Sequence, residues 1–181
     1  MIIKHYELKN YLKDKNNFFL LYGQNSGLIE EVIDKDLKPI FSKNIFKYDE
    51  SEILSNISAF KEGLFNKSFF ENDKLIIINR VSDKILEIIK EIYDKQDENL
   101  KIILKSGNLE KKSKLRNFYE KSKNLIVVPF YEDTHQSLLF LAQSFFKENK
   151  IKISPQNINY IIENSKGNRI NLKNELEKIK N

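Results

Sequence analysis

Five short apolar runs, separated by longer segments with helical spacing, constrain the fold of this chain most strongly. Runs of this length predict strands that are buried on both faces, because a half-exposed strand would alternate apolar and polar residues. Strands that alternate with helices predict a mostly parallel sheet, joined by right-handed crossovers and covered by helices. The first part of the chain is therefore predicted to be an α/β domain. Its five predicted strands are residues 17–22, 44–48, 74–79, 101–105 and 124–130.

The alternation stops after the fifth strand, where the chain changes to helical segments alone. We therefore expect an α/β domain over residues 1–132 and a small helical domain over residues 133–181. Pro155 suits the first turn of the second helix of that domain, and Gly167 suits the turn before the third. The three predicted helices are residues 136–149, 154–164 and 168–180.

The residue types exclude several kinds of chemistry. The chain has no cysteine, which removes disulfides and thiolate sites, and His5 and His135 are its only imidazole ligands. We therefore predict neither a metal site nor a cofactor. No apolar run approaches the length that crosses a bilayer, and the N-terminus lacks a signal peptide's apolar region, so we expect a cytoplasmic protein without membrane contact. The net charge of +5 permits binding to nucleic acid, although a solvated lysine-rich surface is the simpler interpretation.

A buried strand, a tight turn and a helix follow one another near the start of the α/β domain. In a nucleotide-binding protein the backbone N–H groups of this turn would cradle phosphates, and Lys followed by Ser or Thr would come after the second glycine. Here Leu28 and Ile29 follow Gly27, and Gly23 and Gly27 are one residue closer than the phosphate-loop pattern requires. Residues 23–27, the phosphate-loop-like turn, therefore predict the architecture of an ATPase with no catalytic residues and no bound nucleotide.

Residues 63–73, the aromatic segment, carry the densest group of aromatic side chains in any predicted loop. Their Gly, Asn and Asp content predicts a loop, and exposed aromatic side chains usually indicate a binding partner. A second interpretation stays open, in which some or all of these side chains form the last turn of the preceding helix and join the core. The side chains concerned are Leu64, Phe65, Phe69 and Phe70.

An α/β domain with a phosphate-loop-like turn, followed by a small helical lid, resembles an AAA+ module. Five local sequences, taken in order over nearly the whole chain, resemble the delta subunit of the bacterial DNA polymerase III clamp loader. No single motif is diagnostic, and the ordered set carries the resemblance. The five are F-L-L-Y-G-Q-N-S-G-L-I-E-E, S-F-F-E-N-D-K-L-I-I-I, I-I-L-K-S-G-N-L-E-K-K-S-K-L-R, V-P-F-Y and G-N-R-I-N-L-K-N-E-L-E-K-I.

The resemblance implies an AAA+ protein that does not hydrolyse ATP. Such a subunit binds and opens the sliding clamp, the beta subunit, so that the clamp is loaded on primed DNA during DNA replication. It works with the other clamp-loader subunits and belongs to the DNA polymerase holoenzyme by assembly only, without an active site of its own. The family also has a C-terminal collar domain, and the resemblance implies that this chain corresponds to the first two domains, with the collar absent.

The family grips the clamp with a hydrophobic pair that follows a small residue, before the third strand. Ser68, Phe69 and Phe70 match this pattern without a gap to the strand. The pair Leu64 and Phe65 preserves the Leu-Phe order but needs an insertion before the strand. The resemblance therefore favours Phe69 and Phe70 as the clamp-binding pair, with Leu64 and Phe65 as the alternative.

Two further positions correspond to functional sites of AAA+ relatives, and one basic cluster invites a functional interpretation from its charge. Asn108 follows the fourth strand, where relatives place a polar sensor, and we expect it to be structural because no phosphate is there to sense. Arg169 lies near a nucleotide-sensing arginine of relatives, and we expect it to pair with Glu175, Glu177 or the surface of the helical domain. A basic cluster is either a DNA phosphate contact or a solvated helix start; its members are Lys111, Lys112, Lys114 and Arg116.

Two other functions stay open. The first is a nucleotide-dependent ATPase with an aberrant loop, although Asn79 and Arg80 stand where an acidic pair would hold magnesium. The second is a free-standing nucleic-acid-binding module, which the charge favours but for which the sequence offers no aromatic-studded sheet. The other subunits of the same machine resemble zinc-bearing chains that contain cysteine, and this chain has none.

Overall fold

The computed structural model describes residues 1–12, 17–40, 44–65, 74–95 and 97–181. The chain divides into two compact units, Met1–Phe130 and Tyr131–Asn181. The first unit contains the sheet, and the second unit is helical.

The first unit is built on a five-stranded sheet in the order β2-β3-β4-β1-β5. Every neighbouring pair of strands is parallel, which confirms the α/β fold predicted from the five apolar runs. Strand β1 lies between β4 and β5, so the turn that follows β1 emerges beside the ends of both neighbours. The strands are β1 (Phe18–Gly23), β2 (Ile45–Asp49), β3 (Lys74–Asn79), β4 (Leu100–Ser106) and β5 (Leu125–Phe130).

The helices of this unit follow the predicted pattern with one difference. The segment with helical spacing after β2 is two helices, because Asn56 leaves the helical conformation at ψ 73°. Its side-chain Oδ1 then accepts a hydrogen bond from the N–H of Ala59 at 3.1 Å, which caps the second helix. The helices are α1 (Leu8–Leu12), α2 (Ser26–Val32, continued by a π-helical turn at Ile33–Leu37), α3 (Glu50–Ser55), α4 (Ile57–Phe65), α5 (Leu86–Asp94) and α6 (Lys114–Lys121).

Two hydrophobic cores lie on opposite faces of the sheet, because successive strand residues point to opposite sides. Leu20 of β1 belongs to the core formed with α3, α4, α5 and α6. Its neighbours Phe19 and Leu21 belong to the core formed with α1 and α2. Each fully buried side chain of this kind stabilises the fold by about 1.5–3 kcal/mol, so the continuous apolar runs account for a sheet covered on both faces.

The outer edge of β5 is covered by the N-terminal residues. Ile2 forms a parallel bridge with Val127, and the N–H of Ile3 donates to the carbonyl of Val127 at 2.9 Å. The ammonium group of Met1 donates to the carbonyl of Leu125 at 2.5 Å, and its burial lowers the pKa of that group. A short strand-like segment thus precedes α1.

The second unit is a three-helix unit, as predicted. Its helices are preceded by the N-cap residues Thr134, Ser154 and Asn168, whose side-chain oxygens accept hydrogen bonds from backbone N–H groups of the first turns. Among the described residues, neither unit contains a helix with the length and apolar character needed to cross a membrane. The helices are α7 (His135–Glu148), α8 (Pro155–Asn164) and α9 (Arg169–Lys180), and their shared core is Leu138, Ala142, Phe146, Ile158, Ile162, Leu172 and Leu176.

Candidate functional site

The carboxyl ends of the parallel strands meet at one edge of the sheet, where α/β proteins with open sheets bind ligands. The phosphate-loop-like turn follows β1 at this edge. Gly23 has φ +141°, and a Cβ atom added there would lie 2.0 Å from the carbonyl oxygen of Phe130. The N–H of Gly23 donates to the carbonyl of Gly107 at 3.0 Å, and the N–H of Asn25 donates to Phe130 at 3.5 Å. Backbone bonds therefore fasten the turn to the residues at the ends of both neighbouring strands, and this close approach requires glycine.

The side chain of Asn25 occupies the start of α2. It is buried, and its Oδ1 accepts a hydrogen bond from the N–H of Leu28 at 3.1 Å. In a phosphate-binding loop, N–H groups at such a helix start point to the ligand. Here the chain itself takes up one of them, and the side chain of Leu28 packs against the core on the α2 side of the sheet.

The end of β3 carries an amide and a guanidinium where an ATPase would hold magnesium with carboxylates. The side-chain N–H of Asn79 donates to the carbonyl of Tyr48 at 3.2 Å. Arg80 has φ 54° and forms an ion pair with Asp49 at the end of β2. Both side chains are thus bonded towards the neighbouring strand.

Two carboxylates, those of Glu50 and Asp83, accept hydrogen bonds from segments that follow other strands at this edge of the sheet. Glu50 is buried. Its carboxylate accepts hydrogen bonds from the backbone N–H of Ser82 at 2.7 Å and from the hydroxyl of Ser82 at 2.9 Å. Asp83 accepts from the hydroxyl of Ser113 at 2.6 Å and from two backbone N–H groups of the first turn of α6. These hydrogen bonds, that of Ser113 foremost, lower the pKa of Asp83. Within the described part of the chain, no group of three or more His, Asp or Glu side chains is arranged to hold a metal ion.

Arg116, the fourth member of the basic cluster, is turned towards the protein. Its Nε donates to Glu120 at 2.7 Å, and its Nη1 donates to the carbonyl of Leu109 at 2.9 Å. Its guanidinium carbon lies 4.9 Å from the ring centroid of Tyr22, the penultimate residue of β1. Arg116 therefore packs α6 against the end of β1.

The three lysines of the cluster are exposed on the surface around the start of α6. Lys112 pairs with Glu110 at 2.9 Å, and both of these side chains remain mostly in solvent. Lys84 is also exposed and follows Asp83, whose carboxylate contacts the start of α6. Lys84 is distant from the basic cluster in the sequence, so the sequence alone did not indicate that it lies near the cluster. The contact of Asp83 with the start of α6 indicates this. The other exposed members are Lys111 and Lys114.

The first residues of the aromatic segment form the last turn of α4, which was the second interpretation of this sequence. Leu64 is only 5% exposed and belongs to the core between the sheet and α5. Phe65 is half-buried, and the ammonium nitrogen of Lys95 lies 3.6 Å from its ring centroid. Phe69 and Phe70 lie outside the described residues.

Asn108 and Arg169, the two positions that correspond to sensors in AAA+ relatives, have different surroundings. Asn108 is exposed in the segment after β4. Arg169 forms a bidentate pair with Asp133, at 2.9 and 3.0 Å, and the two side chains are only 10% and 4% exposed. Arg169 therefore pairs within the helical domain, which was one of the expectations, and the pair joins the first turn of α9 to the residues that precede α7. Glu175 and Glu177 form ion pairs with Lys178 and Lys180. Sequence spacing does not indicate this contact.

No family model matches this sequence, and no curated protein matches it. Solved structures do share its architecture. The DNA clamp loader delta protein of Bacillus subtilis aligns with a TM-score of 0.60 and 14% identity over 97% of this chain, which spans 57% of that protein. DnaA of Aquifex aeolicus, bound to AMPPCP, aligns with a TM-score of 0.66 and 16% identity over 99% of this chain and 62% of its own.

RuvB of Thermotoga maritima aligns as well, with a TM-score of 0.58 and 13% identity over 93% of this chain and 56% of its own. At such identities the likeness establishes the fold alone. The five-stranded, all-parallel sheet in the order β2-β3-β4-β1-β5 agrees with it. The chain therefore has the fold of the AAA+ domains.

Proposed function

We propose that this protein is a clamp-loader subunit of the delta type, which binds and opens a sliding clamp without nucleotide chemistry of its own. The fold alone does not separate this function from that of a nucleotide-binding relative, since both the delta protein of B. subtilis and AMPPCP-bound DnaA share it. The observation that carries the proposal is the phosphate-loop-like turn, where a side chain of the protein accepts a hydrogen bond from the start of α2. Asn25 caps α2 from within the chain, and Leu28 stands where a phosphate-binding lysine would be.

The end of β3 supports the same conclusion. Arg80 pairs with Asp49, so a positive group stands at the place where magnesium would need carboxylate ligands. A subunit of this kind acts through interaction energy and carries out no bond chemistry. By assembly alone it belongs to the DNA polymerase III holoenzyme, together with the other clamp-loader subunits in the cytoplasm.

For the grip on the clamp we propose Phe69 and Phe70. The alternative pair is disfavoured because Leu64 already packs in the core, where its removal would damage the fold. An aromatic anchor that enters an apolar pocket contributes about 2 kcal/mol or more to binding. Two such anchors allow a short segment to compete with the contacts between the subunits of the ring.

Binding to an immobilised cognate sliding clamp tests this proposal. We expect the wild-type chain to bind and the variant F69A/F70A to bind at least about 30-fold more weakly, which corresponds to the loss of about 2 kcal/mol. The variant F140A is a matched control, because Phe140 is a 72% exposed aromatic side chain on α7. Equal weakening by both changes, or no binding by a folded wild type, would reject the proposed grip.

Contact with primed DNA is a second part of the proposed function. The exposed lysines around the start of α6 support it. Lys111, Lys112 and Lys114 present three ammonium groups on one short stretch, while Arg116 is engaged within the protein. Replacing the three lysines by alanine is expected to reduce the slope of log affinity against log salt by about 2–3. The triple replacement of Lys147, Lys150 and Lys152, three exposed lysines around the end of α7, is the control. Equal losses in both triple variants would indicate non-specific attraction.

A further inference from the structure

The segment before α6 contains a tight turn whose two central residues are both lysines. The N–H of Ser113 donates to the carbonyl of Glu110 at 3.0 Å, which closes a four-residue turn around the exposed Lys111 and Lys112. Lysine lacks the turn preference of glycine, proline, asparagine and aspartate. The ion pair of Lys112 with Glu110 lies in solvent and stabilises little. We therefore expect contacts from outside the turn to hold its shape.

The residues on both sides of the turn are anchored in the protein. Leu109 is buried, and its carbonyl accepts a hydrogen bond from Arg116 at 2.9 Å. Ser113 is buried as well, and its hydroxyl donates to the carboxylate of Asp83 at 2.6 Å. These two attachments fix the ends of the turn independently of the lysines between them.

The middle of the turn is held from α6 by one carboxamide. The Nδ2 of Asn117 donates to the carbonyl of Lys111 at 2.9 Å and to the carbonyl of Ser113 at 2.8 Å. The carbonyl of Ser113 lies four residues before Asn117, where a helical side chain commonly finds an acceptor. The carbonyl of Lys111 lies six residues before it, within the turn. Asn117 thus joins the tip of the turn to the helix.

We propose that Asn117 is a positioning residue for the contact with DNA phosphates, which acts by holding the turn of Lys111 and Lys112 and does not itself touch DNA. This inference rests on the proposed function, in which these lysines contact DNA. Lysines on a turn that is fixed before binding lose less conformational freedom when they bind. The number of neutralised phosphates is the same in either case. Asn117 therefore affects the affinity for DNA and leaves the salt dependence of binding unchanged.

The test compares two replacements of Asn117 in the full chain. N117A removes both hydrogen bonds. N117S keeps a hydroxyl that can bond to the carbonyl four residues earlier, as serine often does in a helix, but this shorter side chain does not extend to Lys111. N149A is the matched control. The Nδ2 of Asn149 also donates to the carbonyl four residues earlier, at 2.9 Å, and Asn149 lies between the exposed Lys147 and Lys150.

The affinity of each chain for a fluorescently labelled primed-template DNA is measured over a range of salt concentrations. The hydrogen exchange of the Ser113 amide, which closes the turn, is measured alongside it. We expect N117A and N117S to bind the DNA about two- to tenfold more weakly at every salt concentration, with an unchanged slope of log affinity against log salt. The Ser113 amide should exchange faster in both variants, and N149A should match the wild type in both measurements.

The double variant K111A/K112A separates this inference from the proposed function. In that background N117A should cause no further loss of DNA affinity, because the lysines that Asn117 positions are gone. If K111A/K112A itself binds the DNA as tightly as the wild type, these lysines do not contact DNA. That part of the proposed function then fails, and this inference fails with it.

Three results with a weakened K111A/K112A would overturn the inference alone. The first is wild-type affinity in N117A or in N117S, since wild-type affinity in N117S would mean that the bond within α6 is sufficient. The second is an equal loss in N117A and N149A, because reduced stability would then explain both. The third is a smaller salt slope in N117A, which would mean that a phosphate contact itself had been lost.

Discussion

The phosphate-loop-like turn and the end of α4 are held in different ways. The turn is fastened by backbone hydrogen bonds to Gly107 and Phe130, and Gly23 has a conformation and a contact that only glycine accepts. The end of α4 is attached by the side chains of Leu64 and Phe65, by the ion pair of Lys61 with Glu91 of α5, and by Lys95 at the end of α5, which lies over the ring of Phe65. The turn thus depends on backbone hydrogen bonds and on one glycine, whereas the end of α4 depends on the contacts of individual side chains.

The largest expected effect comes from adding a methyl group to each region. G23A places Cβ 2.0 Å from a carbonyl oxygen at φ +141°, so we expect the free energy of unfolding to fall by about 3 kcal/mol or more. G63A is the matched change in α4, where a Cβ atom has nothing within 4 Å, and it should raise stability by about 0.5–1 kcal/mol. Urea unfolding of the two variants measures both values. Equal effects would mean that the turn is not the more rigid region.

The next comparison removes one helix cap from each region. Asn25 caps α2 from a buried position, and Asn56 caps α4 from an exposed one. N25A is expected to lower the free energy of unfolding by about 1–2 kcal/mol, and N56A by about 0.5–1 kcal/mol. Thermal unfolding of both variants checks which loss of stability is larger. The variant N25D, which keeps a side-chain acceptor, is the control. A larger loss in N56A would contradict the comparison.

The smallest expected effect concerns Asp83, whose carboxylate accepts hydrogen bonds from Ser113 and from the first turn of α6. Its folded-state pKa is lowered, so its carboxylate contributes stability above the unfolded-state pKa of about 3.9 and loses that contribution as the pH falls through the folded value. At pH 7 we expect D83N to be less stable than the wild type by about 1 kcal/mol or less, as for a helix cap.

Urea unfolding of both proteins from neutral to acidic pH measures the difference between them. It should begin to shrink as the pH falls below about 4, where the unfolded-state carboxyl group takes up a proton, and it should approach zero only below the lowered folded-state pKa. A difference in stability that stays constant over this pH range would show that the charge of Asp83 does not stabilise the fold.

Much of the fold was predictable because its signals are local. The apolar run 74–79 coincides with β3, and the apolar run 101–105 lies within β4. The order of the strands has no local signal, since β1 lies between β4 and β5 only in the assembled sheet. The break at Asn56 was not predicted because asparagine occurs both within helices and at their caps.

The candidate site was predictable in its residue types and not in its partners. A phosphate loop requires particular residues at fixed spacing, so Leu28 after Gly27 was informative before the fold was known. The partner of Arg169 is Asp133, which is distant in sequence and is brought close only by the packing of α9 beside α7. The position of Leu64 was ambiguous because Gly63 is compatible with both a loop and a helix.

The central proposal is that this chain, which has the fold of AAA+ domains, binds a sliding clamp without a nucleotide. The most direct measurement is the affinity of the wild-type chain for its cognate sliding clamp with and without ATP and magnesium, with calorimetric titration of ATP into the free chain. We predict one dissociation constant under both conditions and no binding heat from ATP. Clamp binding that appears only with ATP, or stoichiometric uptake of ATP, would contradict the account.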